Sequence, residues 1–152
     1  EATEQVGPVI IWRKELRAGS GGAGQYRGGL GQFMDVGAAE GHEFYLQAMF
    51  DRLAHPARGR HGGMAGAPTL IAQDDGTAMR GKGKQFVPHG RVVQMGFPGG
   101  AGYGKPEARC RDAVRRDLAY GYISSEQAAE DYGLSEDEIA EILRLASSGA
   151  DF

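Results

Sequence analysis

Two glycine-rich runs constrain this chain more than any other feature. Residues 19–31 contain seven glycines in thirteen positions, and residues 98–106 form a second, shorter run with the same character. Glycine loses more backbone entropy on folding than other residues, so clustered glycine is expected where φ is positive or where backbones approach closely. Each run also carries one tyrosine followed by a cation, Arg27 after Tyr26 and Lys105 shortly after Tyr103. We interpret both runs as loops with a built shape.

The overall composition is that of an ordered domain. Glycine accounts for 26 of the 152 residues, well above the usual share of about 7%. Hydrophobic residues at 41% and charged residues at 24% are ordinary, whereas a disordered chain would be short of apolar residues. The length fits one domain. The excess glycine is therefore assigned to shaped loops rather than to disorder.

Charge and cysteine content narrow the possible functions. A net charge of -3 argues against a general role on nucleic acid or on membrane surfaces, and no apolar stretch is long enough to span a membrane. The single cysteine, Cys110, excludes an internal disulfide and predicts a reducing, cytoplasmic compartment. We interpret Cys110 as a small residue on an amphipathic helix rather than as a nucleophile.

The first two thirds of the chain predict strands. Residues 43–50 alternate between two sets of side chains as a strand does, and the other predicted strands are short runs rich in β-branched residues. Residues 51–68 show no core periodicity and are predicted to form a long shaped loop. The predicted strands cover residues 6–16, 32–36, 43–50, 69–72 and 91–95.

The pattern changes to helices after Pro106. Residues 108–120 are predicted to form an amphipathic helix that ends at Gly121, and a second helix starts at Ser124 or Ser125 and ends near Tyr132. Ser135 and Glu138 have the spacing of a capping box that opens a third helix. We predict an α+β fold in which a β-rich glycine-loop module, residues 1–106, precedes a helical tail of two to three short helices, residues 107–152, in one structural unit.

Both glycine runs contain a nucleotide-binding pattern that is incomplete. Residues 19–24 satisfy G-x-G-x-x-G, but further glycines follow where the dinucleotide-binding helix would have to run. Residues 99–105 satisfy G-x-x-x-x-G-K, but Pro106 replaces the Ser or Thr whose hydroxyl holds Mg²⁺. Pro106 instead suits the first turn of the following helix. Loop shaping at a subunit contact is favoured over nucleotide binding for both runs.

Other candidate sites are weaker. The four histidines show no metal-binding spacing, so no metal site is predicted. The cluster of Arg52, Arg58, Arg60 and His61 could meet an anionic substrate, a phosphate or an acidic partner, or could be solvated. Residues 125–142 scan like a helix-turn-helix, but the second helix is acidic and would repel phosphate, so a protein-contact role is favoured. The histidines are His42, His55, His61 and His89.

In this order the motifs resemble the C-terminal part of the hydantoinase B/oxoprolinase family. The resemblance covers residues 20–31 and 98–106, the glycines between them, and a closing pattern in the helical tail. The chain departs from the family pattern at Arg91, Ala101 and Lys105. The intermediate glycines are Gly62, Gly63 and Gly66, and the closing pattern consists of Val114, Asp117, Gly121, Tyr122, Ile123, Ser124, Ala128, Tyr132 and Gly133.

The resemblance implies a function within a larger enzyme. It suggests a small subunit of a heteromeric ATP-dependent ketone carboxylase, like that of acetophenone carboxylase, which completes or stabilises a large hydantoinase-B-like subunit. The alternative is a subunit or fragment of an ATP-dependent hydantoinase or 5-oxoprolinase, and a third possibility is a free-standing nucleotide-binding module. The expected partners are larger hydantoinase A-like and B-like subunits, which are also expected to hold ATP and a divalent metal. The isolated chain is not expected to be catalytic.

The candidate site residues all belong to the two glycine runs. Tyrosine and arginine dominate many protein interfaces, so Tyr26 and Arg27 are predicted to be presented to a partner by the surrounding glycines. No catalytic residue can be assigned from the sequence. The interface or loop-shaping candidates are Gly21, Gly22, Gly24, Tyr26, Arg27, Gly28, Gly29, Gly99, Gly100, Gly102, Tyr103 and Gly104.

Overall fold

The computed structural model describes residues 5–150 and 152, and it contains two antiparallel sheets followed by helices. The six strands are β1 (Val9–Arg17), β2 (Gly31–Ala38), β3 (Phe44–Met49), β4 (Leu70–Gln73), β5 (Lys82–Val87) and β6 (Val92–Gly96). β1, β2, β6 and β4 form one sheet in that order, and β3 pairs with β5 in the other. The second sheet is therefore a two-stranded ribbon.

The four-stranded sheet directs alternate side chains to opposite faces. In β6, Val93 and Met95 are buried on the face that packs against the ribbon, where they meet Val87. The opposite face carries Asp35 and Gln94, which pair across β2 and β6. A bulge in β1 between Ile11 and Arg13 interrupts the pairing with β2. One face of the sheet thus forms a hydrophobic core, and the other is partly open.

The helical tail forms a second core. A 3₁₀ turn at Pro106–Ala108 precedes α1 (Arg111–Ala119), α2 (Ser125–Glu130) and α3 (Glu136–Ser147). α2 and α3 each begin with a complete capping box, in which the N-cap serine and the third helical residue bond reciprocally. The apolar faces of the three helices bury Val114, Leu118, Ala128, Ile139 and Ile142.

The predicted α+β class is confirmed. The five predicted strands are present with boundaries shifted by up to three residues, and the three predicted helices are present but shorter at some ends. Gly121 and Gly133 follow α1 and α2 with φ of 69° and 65°, as expected for glycines that end helices. Strand β5 was not predicted, and the division of the chain at residue 106 stays a prediction. Within the described residues, no helix is long and apolar enough to cross a membrane.

Candidate functional site

Three glycine-rich segments lie side by side between the sheet and the helices. They are residues 19–31, 57–67 and 97–104, and we call them the glycine bundle. Backbone hydrogen bonds join all three: Gly22 N–H donates to the Gly100 carbonyl at 2.9 Å, Met64 N–H to Ala23 at 2.7 Å, and Gly102 N–H to Met64 at 2.9 Å. The bundle is therefore held together by main-chain bonds between segments far apart in the sequence.

Most glycines of the bundle are required because backbones touch. A Cβ atom at Gly28 would overlap the Gly100 carbonyl, and one at Gly102 would overlap the Ala23 carbonyl. Gly104 combines a φ of 73° with contact to the Gln25 side chain, whereas Gly29 faces open space. The predicted loop-shaping glycines thus lie in one bundle. Close approach of another backbone segment explains more of them than a positive φ does. An added Cβ would also meet backbone atoms at Gly21, Gly22, Gly24, Gly99 and Gly100.

The packing of the middle segment against the two glycine runs was not predicted from the sequence, although three of its glycines belong to the family resemblance. Residues 57–67 belong to the stretch that was predicted only as a shaped loop. A Cβ at Gly63 would overlap the Gly102 carbonyl, and one at Gly66 would lie 2.5 Å from the Gly100 oxygen. The sequence signal for this packing is the density of glycine: Gly59, Gly62, Gly63 and Gly66 make up half of residues 59–66, a share similar to that in the two recognised runs.

In the segment that resembles a P-loop, backbone N–H groups are already used in hydrogen bonds to the other two segments of the bundle. Gly100 N–H donates to the Gly29 carbonyl at 2.9 Å, and Tyr103 N–H donates to Tyr26 at 3.0 Å. Gly104 N–H donates to the Arg60 carbonyl, also at 3.0 Å. A phosphate-binding loop needs free N–H groups that converge on one point. Pro106 begins the 3₁₀ turn, as the sequence predicted.

A buried charged cluster ties the bundle to the first helix. Asp117 of α1 accepts hydrogen bonds from Arg27 Nε at 2.9 Å and from Arg109 Nη2 at 2.6 Å, and its side chain is 7% exposed. Arg27 Nη1 also donates to the Gly28 carbonyl at 2.8 Å. The Arg27 guanidinium lies 5.6 Å from the centroid of the Tyr122 ring. Arg27 is therefore engaged within the chain, and its role at an interface stays a prediction.

Two buried polar atoms lie next to this cluster. Among the described residues, Arg109 Nε and Tyr132 Oη are the buried side-chain atoms without a hydrogen-bond partner. Burial raises the pKa of Tyr132, and the nearby Gly24 backbone and the Arg109 guanidinium oppose this effect. A tyrosine with a raised pKa stays neutral at physiological pH. Tyr132 thus contributes packing between the bundle and the helices.

Three aromatic rings project from one end of the bundle. Tyr26 and Tyr103 exchange backbone hydrogen bonds of 2.9 and 3.0 Å, and their ring centroids lie 6.3 Å apart. The His61 ring lies 4.9 Å from the ring of Tyr103. Tyr26 is 64% exposed and Tyr103 is 50% exposed. We call these three residues the tyrosine ridge; it unites the two predicted tyrosines, and His61 is an addition that the sequence analysis did not make.

Two shallow depressions lie on the described surface. One, of about 230 Å³, lies on the open face of the four-stranded sheet and is lined by residues that include Arg13, Phe33, Asp35 and Gln94. The Arg13 guanidinium lies 4.3 Å from the centroid of the Phe33 ring. The other, of about 380 Å³, lies beside the tyrosine ridge and is lined by Gln25, Tyr26, Ala108, Arg109, Cys110, Ala113 and Arg116. In the part of the chain that the structure describes, no group of three or more His, Cys, Asp or Glu side chains could hold a metal ion.

The fold and the glycine bundle define the class of protein. Residues 1–106 match the profile of the family described as hydantoinase B/oxoprolinase, and the chain belongs to that family. The sequence-based assignment to this family is thereby confirmed.

Individual relatives are considerably longer than this chain. It is 32% identical over 135 residues to an uncharacterized protein of Methanocaldococcus jannaschii, covering 87% of this chain and 24% of that protein. It is 31% identical over 155 residues to the caprolactamase subunit beta of Pseudomonas jessenii, covering 88% and 24%. It is 33% identical over 108 residues to 5-oxoprolinase 1 of Arabidopsis thaliana, covering 68% and 8%. The chain thus spans no more than about a quarter of the length of these relatives.

Two solved structures share the fold. The ATP-dependent caprolactamase from Pseudomonas jessenii superposes with a TM-score of 0.72 at 25% identity, over 96% of this chain and 26% of that chain. A nucleotide-free acetone carboxylase superposes with a TM-score of 0.68 at 18% identity, over 95% of this chain and 26% of that chain. Nearly the whole chain therefore corresponds to one part of much larger polypeptides.

Proposed function

We propose that this chain is the glycine-bundle module of an ATP-dependent enzyme of the hydantoinase B/oxoprolinase family, and that it completes or stabilises a large hydantoinase-B-like subunit. The observation that carries the proposal is the match of 87–88% of the chain to only 24% of relatives such as the caprolactamase subunit. The bundle supports it physically, because backbone-to-backbone packing gives a stiff scaffold that presents few side chains. Catalytic groups, ATP and a divalent metal are assigned to the larger hydantoinase A-like and B-like partners.

Exposed apolar side chains support a larger assembly. Trp12 is 64% exposed on β1. Leu16 and Leu70 are exposed on the two outer strands of the four-stranded sheet. Scattered exposed apolar residues are ordinary on monomers, but an exposed tryptophan and leucine on one edge strand are typical of a surface that a partner covers.

Two chemistries are open to such an assembly. The sequence relatives include a 5-oxoprolinase, a hydantoinase subunit and a caprolactamase subunit at 28–33% identity, and all three names denote cyclic amides. The acetone carboxylase shares the fold at 18% identity. We therefore put ATP-dependent hydrolysis of a cyclic amide first and ketone carboxylation of the acetophenone carboxylase kind second, which reverses the order favoured by the sequence motifs.

The two reactions share one activation step. ATP would transfer its γ-phosphoryl group to an oxygen, either of the amide or of the ketone enol, with ADP as the leaving group. Water would then add to the activated amide carbon and release phosphate as the C–N bond breaks, or the enol carbon would form a C–C bond to the carbon of bicarbonate, with phosphate leaving together with one bicarbonate oxygen. In both cases this chain would support the subunit that performs the step.

The test begins with a tag on this chain alone and native mass spectrometry of the assembly purified from the source cells. We expect an assembly with larger hydantoinase A-like and B-like subunits. ATP turnover is then measured with 5-oxoproline, hydantoin or caprolactam, and separately with acetone or acetophenone plus bicarbonate. Recovery of the chain only as a monomer or homodimer would overturn the proposal, and turnover with a ketone but no cyclic amide would reverse the order of the two chemistries.

A further inference from the structure

The tyrosine ridge is bordered by cations from three parts of the chain. Arg60 is placed beside Tyr103 because Arg60 N–H donates to the Gly102 carbonyl at 3.1 Å and Gly104 N–H donates to the Arg60 carbonyl at 3.0 Å. The Lys105 side chain lies against Gly62, where an added Cβ would come within 2.8 Å of Lys105 Cγ. Arg116 lines the same depression as Tyr26.

These cations lack acidic partners within the described part of the chain. No described carboxylate lies within 4.0 Å of the charged groups of Arg60, Lys105 or Arg116, and their acidic neighbours along the sequence, Glu107 and Asp112, form no ion pair with them. Some cations elsewhere are paired, as the ion pairs Lys82–Asp51, Arg91–Asp75, Arg111–Glu138 and Arg144–Glu141 show. Others in the described part of the chain, such as Arg80 and Lys84, join no ion pair, so the distinctive feature of the ridge is that its unpaired cations are gathered around exposed tyrosines.

The charged cluster adds to this local excess. Arg109 lines the depression together with Arg116, and it shares the single carboxylate of Asp117 with Arg27. Two guanidinium groups therefore face one carboxylate, which leaves one positive charge uncompensated. The ridge and its surroundings are thus positive on a chain whose net charge is -3.

The ridge is also preorganised by the fold of this chain. Tyr26 and Tyr103 project from paired backbones, and a Cβ at Gly24 would lie 2.8 Å from Tyr103 N, so these two segments pack without intervening side chains. A tyrosine has only two side-chain torsions to fix on binding, and a preorganised surface loses little further entropy. Exposed tyrosine and arginine on a stiff support are typical of residues that contribute most to binding.

From these observations we infer that the tyrosine ridge, with Arg60, Lys105 and Arg116, binds an acidic segment of the large hydantoinase-B-like subunit. The inference rests on the proposed function, because that subunit is the partner. Aspartate and glutamate carboxylates of the segment would pair with the three cations, and its apolar atoms would cover the rings of Tyr26 and Tyr103. Charge complementarity selects an acidic segment over a basic or purely apolar one.

The direct test is zero-length carbodiimide cross-linking of the native assembly, followed by mass spectrometry of the linked peptides. This reagent joins an amine only to a carboxylate in contact with it. We expect Lys105 to be linked to an aspartate or glutamate of the large subunit. Lys84 is the matched control, because it is an exposed lysine whose Nζ lies 4.1 Å from the centroid of the Tyr45 ring, on the separate ribbon.

Charge reversal provides the second readout. The Lys105→Glu, Arg116→Glu double variant should weaken retention of the large subunit at least about tenfold at physiological salt, while Lys84→Glu leaves it unchanged. Lys105→Arg should retain binding, and replacing the cross-linked carboxylate of the partner by lysine should restore binding to Lys105→Glu. Thermal unfolding of each variant confirms that the fold is intact.

The outcomes separate this inference from the proposed function. If the unmodified chain forms no assembly with large subunits, both fail. If the assembly forms but Lys105 remains unlinked, is linked to a second copy of this chain, or tolerates charge reversal as Lys84 does, the inference about the ridge is wrong and the proposed function stands.

Discussion

Gly102 is one of the positions at which the bundle leaves no room for a side chain. A Cβ there would overlap the Ala23 carbonyl and approach the Gly22 oxygen at 2.8 Å, and all of these atoms are backbone. We expect Gly102→Ala to lower the free energy of unfolding by about 2 kcal/mol or more. The added methyl group would clash with backbone atoms, which cannot move aside as a flexible side chain could. Gly29→Ala is the control, since nothing lies within 4 Å of a Cβ at Gly29. Urea unfolding measures both, and equal effects would contradict the role given to close approach.

Asp117 holds two guanidinium groups that have little contact with water. The Asp117→Asn change would leave Arg27 and Arg109, whose side chains are 13% and 14% exposed, without their counter-charge. Removing one partner of a buried ion pair costs about 3–5 kcal/mol, so we expect a loss of that order in urea unfolding. Glu141→Gln, which removes an exposed partner of Arg144, should leave stability unchanged within error. A small effect of Asp117→Asn would show that the cluster is well solvated.

The charged cluster also shows how far the roles of single residues could be predicted from the sequence. Tyr26 and Arg27 were selected as an exposed pair because both residue types are common at interfaces. The structure places Tyr26 at the surface, but it turns Arg27 toward Asp117, ninety positions further along the chain. Nothing in the local sequence around Arg27 indicates that contact, because it depends on how the bundle packs against α1.

At the scale of elements, local patterns predicted five of the six described strands and the three α-helices of the tail. β3 alternates in burial as its sequence predicted, and the capping box predicted at Ser135 and Glu138 is present. β5 was missed because its residues include Lys82, Gly83 and Lys84, which have low strand propensity. Six pairs of residues join β5 to β3, so tertiary pairing rather than propensity stabilises this strand.

The capping box at the start of α3 allows a prediction about stability. Ser135 Oγ accepts from Glu138 N at 3.3 Å, and Glu138 Oε2 accepts from Ser135 N at 2.9 Å. We expect Ser135→Ala to lower stability by about 1 kcal/mol, and Ser147→Ala near the C-terminus of α3 to have a smaller effect. Equal losses in chemical unfolding of the two variants would contradict the capping role.

The same hydrogen bonds set the pH dependence at this helix. The bond from the Ser135 backbone, followed by the bond from Arg111, lowers the pKa of Glu138. A carboxyl whose pKa is lower in the folded state stabilises the protein above its unfolded pKa, and that contribution is lost as the pH falls through the folded value. We therefore expect the thermal stability of the unmodified chain to fall below pH 5, and we expect Glu138→Gln to reduce that fall. An unchanged acid profile would contradict this assignment.

On the scale of the whole molecule, the motifs indicated the family but not the architecture of its glycines. The two runs at residues 19–31 and 98–106 were recognised as related, yet their hydrogen-bonded neighbour at residues 57–67 was interpreted only as a loop. Close backbone packing among three distant segments leaves no periodicity in any one of them, so the bundle could not be derived from local pattern. The tyrosine ridge could not be predicted from the sequence for the same reason, since its members come from all three segments.

This architecture leads to a prediction about nucleotide binding by the whole chain. The third possibility raised by the sequence was a free-standing nucleotide-binding module that uses residues 99–105, with Pro106 in place of the Ser or Thr that holds Mg²⁺. The structure gives a second obstacle, because the N–H groups of Gly99, Gly100, Gly102, Tyr103 and Gly104 all donate to backbone carbonyls of the bundle. Freeing them would require separation of the three segments and exposure of buried polar groups. A serine at position 106 supplies a hydroxyl but releases none of these donors.

We therefore expect neither the unmodified chain nor Pro106→Ser to bind Mg²⁺–ATP in isothermal titration calorimetry at micromolar to millimolar nucleotide. ATP turnover should be measurable only when the chain is part of an assembly with the proposed large subunits, because our proposal assigns the nucleotide site to them. Calorimetric stability scans with and without Mg²⁺–ATP give an independent readout, since a ligand that binds the folded state raises the unfolding temperature. Saturable binding by Pro106→Ser would show that the bundle can open at this segment, and it would return the chain to the class of free-standing nucleotide-binding modules.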